Sequence, residues 1–171
     1  HLYNVDGTLL KFLKNYLQGR SQRVVIGSAS SSTRPVLSGV PQGSILGPLL
    51  FVLFINDLPS GLSPGTELAL YADDTKISRR IMSVADENIL QCDIDFLNDW
   101  ANRNLMKFHP NKCKVLTIQT KPPPLYGILP FVQHSYSLGG SVLDAVDSEK
   151  DLGVVVTSKL KWTLQCETLC T

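Results

Sequence analysis

The chain has 171 residues, of which 43% are hydrophobic and 18% are charged, and its formal net charge is +1. These values are typical of one globular domain and exclude an intrinsically disordered chain, while a near-neutral total neither indicates nor excludes a nucleic-acid-binding surface. No signal-peptide pattern and no apolar run of membrane-spanning length occurs, so we expect a nuclear or cytoplasmic protein.

The first predicted elements are a helix and a small hairpin. Apolar side chains recur at helical spacing over residues 8–18, where Thr8 is placed to cap the helix and Gly19 to end it in a left-handed conformation. Short β-type runs at residues 22–26 and 35–38 flank a stretch of small polar residues. We therefore expect a helix followed by two short strands.

The middle of the chain combines an apolar segment with a second hairpin. Residues 45–56 are apolar on every side, so we predict a helix that is buried on every side, introduced by a tight turn at Pro41-Gln42-Gly43-Ser44. Residues 68–77 form two β-type runs, with Asp73 and Asp74 at the turn between them. The first turn introduces the apolar helix, and the second turn carries two adjacent carboxylates.

The remaining elements predict an α+β chain. An amphipathic helix covers residues 84–104, and Ser83 and Asp86 resemble a capping box at its start. The elements that follow are a turn at 109–112, a strand at 114–118, a proline-rich linker or loop at 121–135, a hairpin at 136–146 and a β-run at 152–156. This order lacks a regular β-α-β alternation and favours an antiparallel sheet packed on helices.

The adjacent carboxylates Asp73 and Asp74 are the sharpest chemical feature. Two such groups at a hairpin turn repel each other unless a cation joins them. Mg²⁺ is the natural partner, because it prefers hard oxygen ligands and binds through one or two carboxylates together with substrate phosphates. The alternative is an ordinary Asp-Asp surface turn, and the pair alone does not separate these two interpretations.

Several blocks in one order resemble the reverse-transcriptase domain of non-LTR (LINE-type) retrotransposons. The blocks are Ser-Gly-Val-Pro-Gln-Gly-Ser-Ile-Leu-Gly-Pro-Leu-Leu-Phe at 38–51, Ile-Asn-Asp at 55–57, Tyr-Ala-Asp-Asp-Thr-Lys at 71–76, Asn-Leu-Met-Lys-Phe-His-Pro-Asn-Lys-Cys-Lys-Val at 104–115, Asp-Leu-Gly-Val at 151–154 and Leu-Lys-Trp at 160–162. The resemblance covers residues 8–162. It implies an incomplete polymerase palm, which is a ferredoxin-like antiparallel sheet packed on helices. The implied parts are a partial palm at 1–120, the linker at 121–135, and a primer-grip-like hairpin with the start of a truncated thumb at 136–171.

The resemblance implies an RNA-directed DNA polymerase that adds deoxynucleotides to a primer 3′-hydroxyl by two-metal phosphoryl transfer. Asp73 would hold both magnesium ions, and Asp74 would assist. Tyr71 and Ala72 would lie near the primer end. The implied partners are an RNA template, a DNA primer and dNTPs, with no membrane, and the oligomeric state stays open.

Further roles follow from the same resemblance. Gln42 and Gly43, within the turn from Pro41 to Ser44, would lie against the incoming nucleotide and the templating base, where a flat backbone permits close approach. Lys112 matches a lysine proposed to protonate the pyrophosphate leaving group, or it is a solvated turn lysine. The pair Leu152-Gly153 would position the primer.

The chain departs from the family in lacking the strand that carries a third carboxylate, the fingers and most of the thumb. Asp6, the only acidic residue near the expected place, suggests a turn before the first helix. We therefore expect that the chain alone does not polymerise DNA, and that an unpaired sheet edge and exposed apolar surface make it poorly soluble. The alternative is a non-catalytic remnant that binds nucleic acid or a partner protein. A nucleotide cyclase on a similar palm would need a Gly-Gly-acidic-acidic-Phe hairpin, which Tyr71–Asp74 does not supply.

Overall fold

The computed structural model describes residues 3–118 and 134–169. Its helices are α1 (Gly7–Leu17), α2 (Leu46–Ile55), α3 (Val84–Arg103) and α4 (Thr163–Leu169). Its strands are β1 (Ser21–Gln22), β2 (Val25–Ile26), β3 (Ala29–Ser30), β4 (Arg34–Pro35), β5 (Thr66–Tyr71), β6 (Asp74–Arg79), β7 (Lys114–Leu116), β8 (Ser137–Leu138), β9 (Ser141–Val142), β10 (Asp144–Val146), β11 (Ser148–Asp151) and β12 (Val154–Thr157). Nearly all of the predicted linker at 121–135 lies outside the described residues.

The chain forms two compact units. The first unit contains the residues up to Asp57 together with Tyr71–Asp74, and the second unit contains Leu58–Leu70 and the residues from Thr75 onward. None of the helices in the described ranges is long and apolar enough to cross a membrane.

The first helix of the first unit confirms the sequence prediction to within one residue at each end. It begins after Asp6 and not at Thr8, because the Asp6 carbonyl accepts the first helical hydrogen bond, from the Leu10 N–H at 3.2 Å. Its last turn is closed by the Gln18 N–H, which donates to the Lys14 carbonyl at 3.0 Å. Gly19 follows with a φ of +67°, the left-handed conformation expected of it.

A long irregular hairpin, here called the β-arm (residues 20–36), follows α1. Strand β1 pairs with β4, and β2 pairs with β3, both antiparallel. Between the two pairs, the Ser31 N–H donates to the Val24 carbonyl at 2.9 Å, so the ladder continues along the arm. The predicted strands at 22–26 and 35–38 are therefore present in a shorter and interrupted form.

Helix α2 forms where it was predicted, but the prediction of burial on every side is wrong. Only Gly47 and Ile55 of this helix are buried, and Leu49, Val52 and Phe54 are exposed. A helix without a polar face needs packing partners all around it, and the first unit offers only α1, the β-arm and short loops. The expected exposed apolar surface is thereby confirmed.

The second unit is built around α3, whose apolar face packs against the hairpin β8–β9. Ile94 of the helix, with Tyr136 and Leu138 of the hairpin, forms a buried cluster. The Gln91 amide fixes the hairpin beside the helix, because its Nε2 donates to the Ser137 carbonyl and its Oε1 accepts from the Ser137 N–H, both at 2.9 Å. The amphipathic helix predicted at 84–104 is confirmed.

The strands in the described ranges pair two by two, in six separate sheets. A mixture of helices and short strands agrees with the α+β expectation. Strand β7 pairs with β10 in parallel, which differs from the antiparallel arrangement we expected. The β-run predicted at 152–156 is one strand of the antiparallel hairpin β11–β12.

Candidate active site

The acidic pair lies at the tip of the hairpin β5–β6. The two strands form a two-stranded sheet and are joined by Ala72 and Asp73 alone, so that Asp73 lies in the turn and Asp74 opens β6. All of Tyr71–Asp74 is exposed. Ala72 has a φ of +52°, a left-handed conformation that is uncommon for a residue with a Cβ and that often accompanies functional turns. The predicted hairpin and its turn are confirmed.

The donor chemistry of this turn fits Mg²⁺ in part. Asp73 and Asp74 supply two adjacent, exposed carboxylates, and Mg²⁺ binds through one or two carboxylates plus substrate phosphates and water. Within residues 3–118 and 134–169, no group of three or more His, Cys, Asp or Glu side chains gathers to hold a metal ion. The pair therefore provides the start of a metal site, to which further ligands would have to be added.

The turn from Pro41 to Ser44 is held tightly against the start of α2. Gly43 has a φ of +75°, and the Ser44 N–H donates to the Pro41 carbonyl at 3.4 Å, as in a type II turn. The Ser44 hydroxyl donates to the Pro41 carbonyl at 2.7 Å and accepts from the Gly47 N–H at 3.0 Å. Ser44 therefore caps α2 and fixes the turn at the same time.

Gly47, the second residue of α2, lies against this turn and was not singled out in the sequence analysis. A Cβ at this position would lie 2.7 Å from the Pro41 carbonyl oxygen and 2.8 Å from the Ser44 Oγ. Only glycine permits the close approach of the helix to the turn. A glycine directly before a proline in an otherwise apolar helix was the available signal.

The turn from Pro41 to Ser44 and the hairpin tip Tyr71–Asp74 belong to the same compact unit.

The end of the hairpin opposite to the acidic pair is anchored by Asp93 of α3. Its carboxylate accepts hydrogen bonds from the Ser63 N–H at 2.9 Å, the Ser63 hydroxyl at 2.8 Å and the Thr66 hydroxyl at 2.6 Å. Asp93 is only 2% exposed. Since Thr66 is the first residue of β5, a buried charge with three donors ties that strand to the helix.

Arg79, the last residue of β6, joins the same network. Its Nη1 donates to the Pro64 carbonyl and to the Thr66 hydroxyl, both at 2.9 Å, and its Nη2 forms an ion pair with Asp86 at 3.4 Å. Both strands are therefore held at their outer ends by side chains that the sequence analysis missed. Asp93 follows Leu90 by three residues and precedes Leu97 by four, so a carboxylate within the apolar stripe was the signal available.

The start of α3 has the predicted Ser83 cap, and Asp86 bonds to the Met82 N–H and the Ser83 hydroxyl in a variant of the capping box. The Ser83 hydroxyl accepts from the Asp86 N–H at 3.4 Å. The Asp86 carboxylate accepts from the Ser83 hydroxyl at 2.9 Å and from the Met82 N–H at 3.1 Å. The Ser83 hydroxyl, then the Met82 N–H, and then Arg79 hold the pKa of Asp86 below its usual value.

The remaining predicted site residues belong to the second unit. Lys112 ends a short 3-10 helix and is exposed, with no ion pair among the described residues. Leu152 and Gly153 form the turn between β11 and β12, with φ values of +48° and +90°, as in a type I′ turn. Asp151, just before this turn, forms an ion pair with Lys76 of β6.

Comparison with known proteins points to one family. The sequence pattern of the "Reverse transcriptase (RNA-dependent DNA polymerase)" family matches residues 3–161. An "RNA-directed DNA polymerase from mobile element jockey" of Drosophila melanogaster is 30% identical over 159 residues, which cover 88% of this chain and 16% of that protein. A "Probable RNA-directed DNA polymerase from transposon X-element" of the same species is 37% identical over 124 residues, covering 67% of this chain and 13% of that protein.

A further relative and the solved structures complete the comparison. The jockey polymerase of Drosophila funebris is 29% identical over 159 residues, covering 89% of this chain and 16% of that protein. The chain thus spans less than a fifth of the length of these relatives. No solved structure matches the chain significantly.

Proposed function

Because this chain belongs to the reverse transcriptase (RNA-dependent DNA polymerase) family, we propose that it is part of an enzyme that extends a DNA primer on an RNA template with dNTPs. The observation that carries the proposal is the exposed Asp73-Asp74 pair at a two-residue hairpin turn. The Pro41–Ser44 turn in the same compact unit supports it. A polymerase needs these two features together, because one would hold the metal ion that binds the phosphates and the other would contact the nucleotide base.

The chemistry assigned to the acidic pair is that of magnesium ligands. Asp73 and Asp74 would hold Mg²⁺, which when bound neutralises phosphate charge and activates the primer hydroxyl. Asp73 lies in the turn itself and would carry the larger share, while Asp74 at the start of β6 would assist. Tyr71 and Ala72, which precede them, would lie beside the primer end.

The turn before α2 would contact the incoming nucleotide. Gln42 and Gly43 are exposed, and no heavy atom lies within 4 Å of the position that a Gly43 Cβ would take. This open backbone would let a flat base approach closely. Pro41 and Ser44, both half-buried, would hold the turn in place through the hydrogen bonds around Ser44.

Residues of the second unit would complete the reaction. Lys112, which is exposed, would donate a proton to the departing pyrophosphate. The turn Leu152-Gly153 would position the primer strand. On this proposal residues 1–120 are a partial polymerase palm of the ferredoxin-like type, 121–135 a linker, and 136–171 the primer grip with the start of a thumb.

The isolated chain is expected to be inactive, because two carboxylates hold a pair of metal ions poorly without a third. The test is primer extension on an RNA template with Mg²⁺, using the chain itself and a chimera that adds the upstream polymerase segment of the jockey relative. Incorporation is expected from the chimera alone. It should fall to background with Asp73→Asn and persist with Asp99→Asn, a matched change of an exposed carboxylate on α3.

Two outcomes would contradict parts of this proposal. Robust incorporation by the isolated chain, abolished by Asp73→Asn, would overturn the expected inactivity. A folded chimera that binds an RNA–DNA hybrid without incorporating nucleotides would favour the second candidate, a non-catalytic remnant that binds nucleic acid.

A further inference from the structure

The charges of the chain are unevenly distributed along the sequence. Residues 7–56 contain five of the 16 basic residues and none of the 15 acidic residues. The five are Lys11, Lys14, Arg20, Arg23 and Arg34. A near-neutral total charge therefore conceals a cationic region, and this region belongs to the first unit. Such a local excess attracts polyanions even when the total charge does not.

The β-arm is the most exposed part of this cationic region. All residues from Ser21 to Pro35 are exposed, so neither face of the hairpin is covered. A two-stranded hairpin of this kind is marginally stable by itself in water. It is fixed at its root by Arg20, whose Nε donates to the Leu17 carbonyl at 2.8 Å and whose Nη2 donates to the Gly39 carbonyl at 2.5 Å.

The other two arginines of the arm are used differently from Arg20. Arg23 and Arg34 are exposed and form no ion pair with any residue that the structure describes. Arg34 lies opposite Gln22 in the β1–β4 pair and follows three hydroxyl side chains at 31–33, and Ser21 lies two residues before Arg23. Arginine, serine and threonine are among the side chains that contact phosphate and sugar oxygens.

We infer that the β-arm binds the sugar-phosphate backbone of the primer–template duplex through Arg23 and Arg34. The inference rests on the proposed function, which supplies a polyanionic duplex as the substrate. On this inference the contacts of the arm are independent of base sequence, because its exposed hydrogen-bond donors suit phosphate oxygens. The template bases are read by base pairing, so the arm need not contact them. The exposed Val24, Val25 and Ile26 would suit a protein partner instead, but an arm without any acidic residue favours nucleic acid.

The test is the salt dependence of binding to a fluorescently labelled RNA–DNA hybrid, measured by anisotropy with the full chain. Each phosphate contact adds about 0.9 to the slope of log K against log salt concentration. The double variant Arg23→Gln with Arg34→Gln is expected to lower that slope by about 2. The loss should be the same for hybrids of different sequence. The matched control removes two exposed charges from the second unit, with Arg103→Gln and Lys107→Gln, and should leave the slope unchanged.

The outcomes separate this inference from the proposed function. If the wild-type chain binds the hybrid and the folded double variant has the same slope, the proposed role of the arm is overturned. The polymerase proposal is unaffected by that result. A slope that falls equally in the control would also overturn the role of the arm, because the effect would then reflect total charge alone. Failure of the wild-type chain to bind the hybrid at low salt would contradict both. Circular dichroism spectra of all variants establish that they remain folded.

Discussion

The two units of the chain differ in how they treat their apolar residues. In the first unit, α1 has no buried residue and α2 has two, although both helices are rich in leucine and phenylalanine. In the second unit, α3 has a lower proportion of apolar residues, yet Ile94, Leu97, Trp100 and Ala101 are all buried. Apolar composition therefore does not by itself make a core, because burial also needs a second surface of matching shape.

The two units also differ in whether their charged side chains are buried or exposed. The second unit holds a buried carboxylate, Asp93, with three hydrogen-bond donors and a neighbouring arginine. The first unit carries its cations on α1 and on the β-arm, where Arg20 is fixed by hydrogen bonds to backbone carbonyls. The second unit thus has a packed interior, whereas the first unit exposes both apolar and cationic side chains.

The largest loss of stability is expected from a substitution of a buried leucine in the second unit. The same substitution of an exposed leucine in the first unit provides the comparison. Leu97 is 5% exposed and Leu49 is 56% exposed. Leu97→Ala should lower the free energy of unfolding by about 2–5 kcal/mol, because it leaves a cavity in the core of the second unit. Leu49→Ala should change it by about 0.5 kcal/mol or less. Urea unfolding followed by circular dichroism measures both, and equal losses would show that α2 is buried in solution.

A second prediction concerns the buried carboxylate of the second unit. Asp93→Ala should destabilise the chain by about 3 kcal/mol, because the Ser63 and Thr66 donors lose a charged acceptor inside the protein. Asp93→Asn keeps one carbonyl oxygen and should lose about half as much. The exposed Asp99→Ala serves as the control in the same urea measurement. Identical stabilities for the Ala variants at 93 and 99 would contradict the anchoring role.

The smallest effect is a pH dependence that should belong to the second unit. The Ser83 hydroxyl and the Met82 N–H lower the pKa of Asp86 in the folded chain below its ordinary value of 3.8. Stability from this group is therefore full above that value and is lost as the pH falls through the lowered folded-state pKa. Asp86→Asn should flatten this acid-side decline, measured as urea midpoints between about pH 6 and about pH 3. An unchanged decline in the variant would assign it to other carboxylates.

Local patterns in the sequence were sufficient to predict α1, α2, α3 and the acidic hairpin, whereas α4 was not predicted. The spacing of apolar residues defined α3, Gly19 marked the end of α1, and the two β-runs around Asp73 defined the turn. These features depend on residues within a few positions of each other, where sequence and structure are closely linked.

Features that depend on distant residues were missed. The burial of α2 depends on which elements surround it, and the parallel pairing of β7 with β10 joins segments on opposite sides of the proline-rich stretch. The contacts of Asp93 with Ser63 and Thr66 likewise cross about 30 residues of sequence. Features of this kind can be identified only when the fold is known.

The turn between β11 and β12 places a large apolar side chain where the backbone opposes it. Leu152 has a φ of +48° and is 59% exposed, and turns of this geometry are usually built from asparagine and glycine. Its left-handed conformation costs roughly 1 kcal/mol. If this leucine is the one that touches the primer, stability and activity oppose each other at a single position. Replacing Leu152 with a standard turn residue would then raise thermal stability and lower activity.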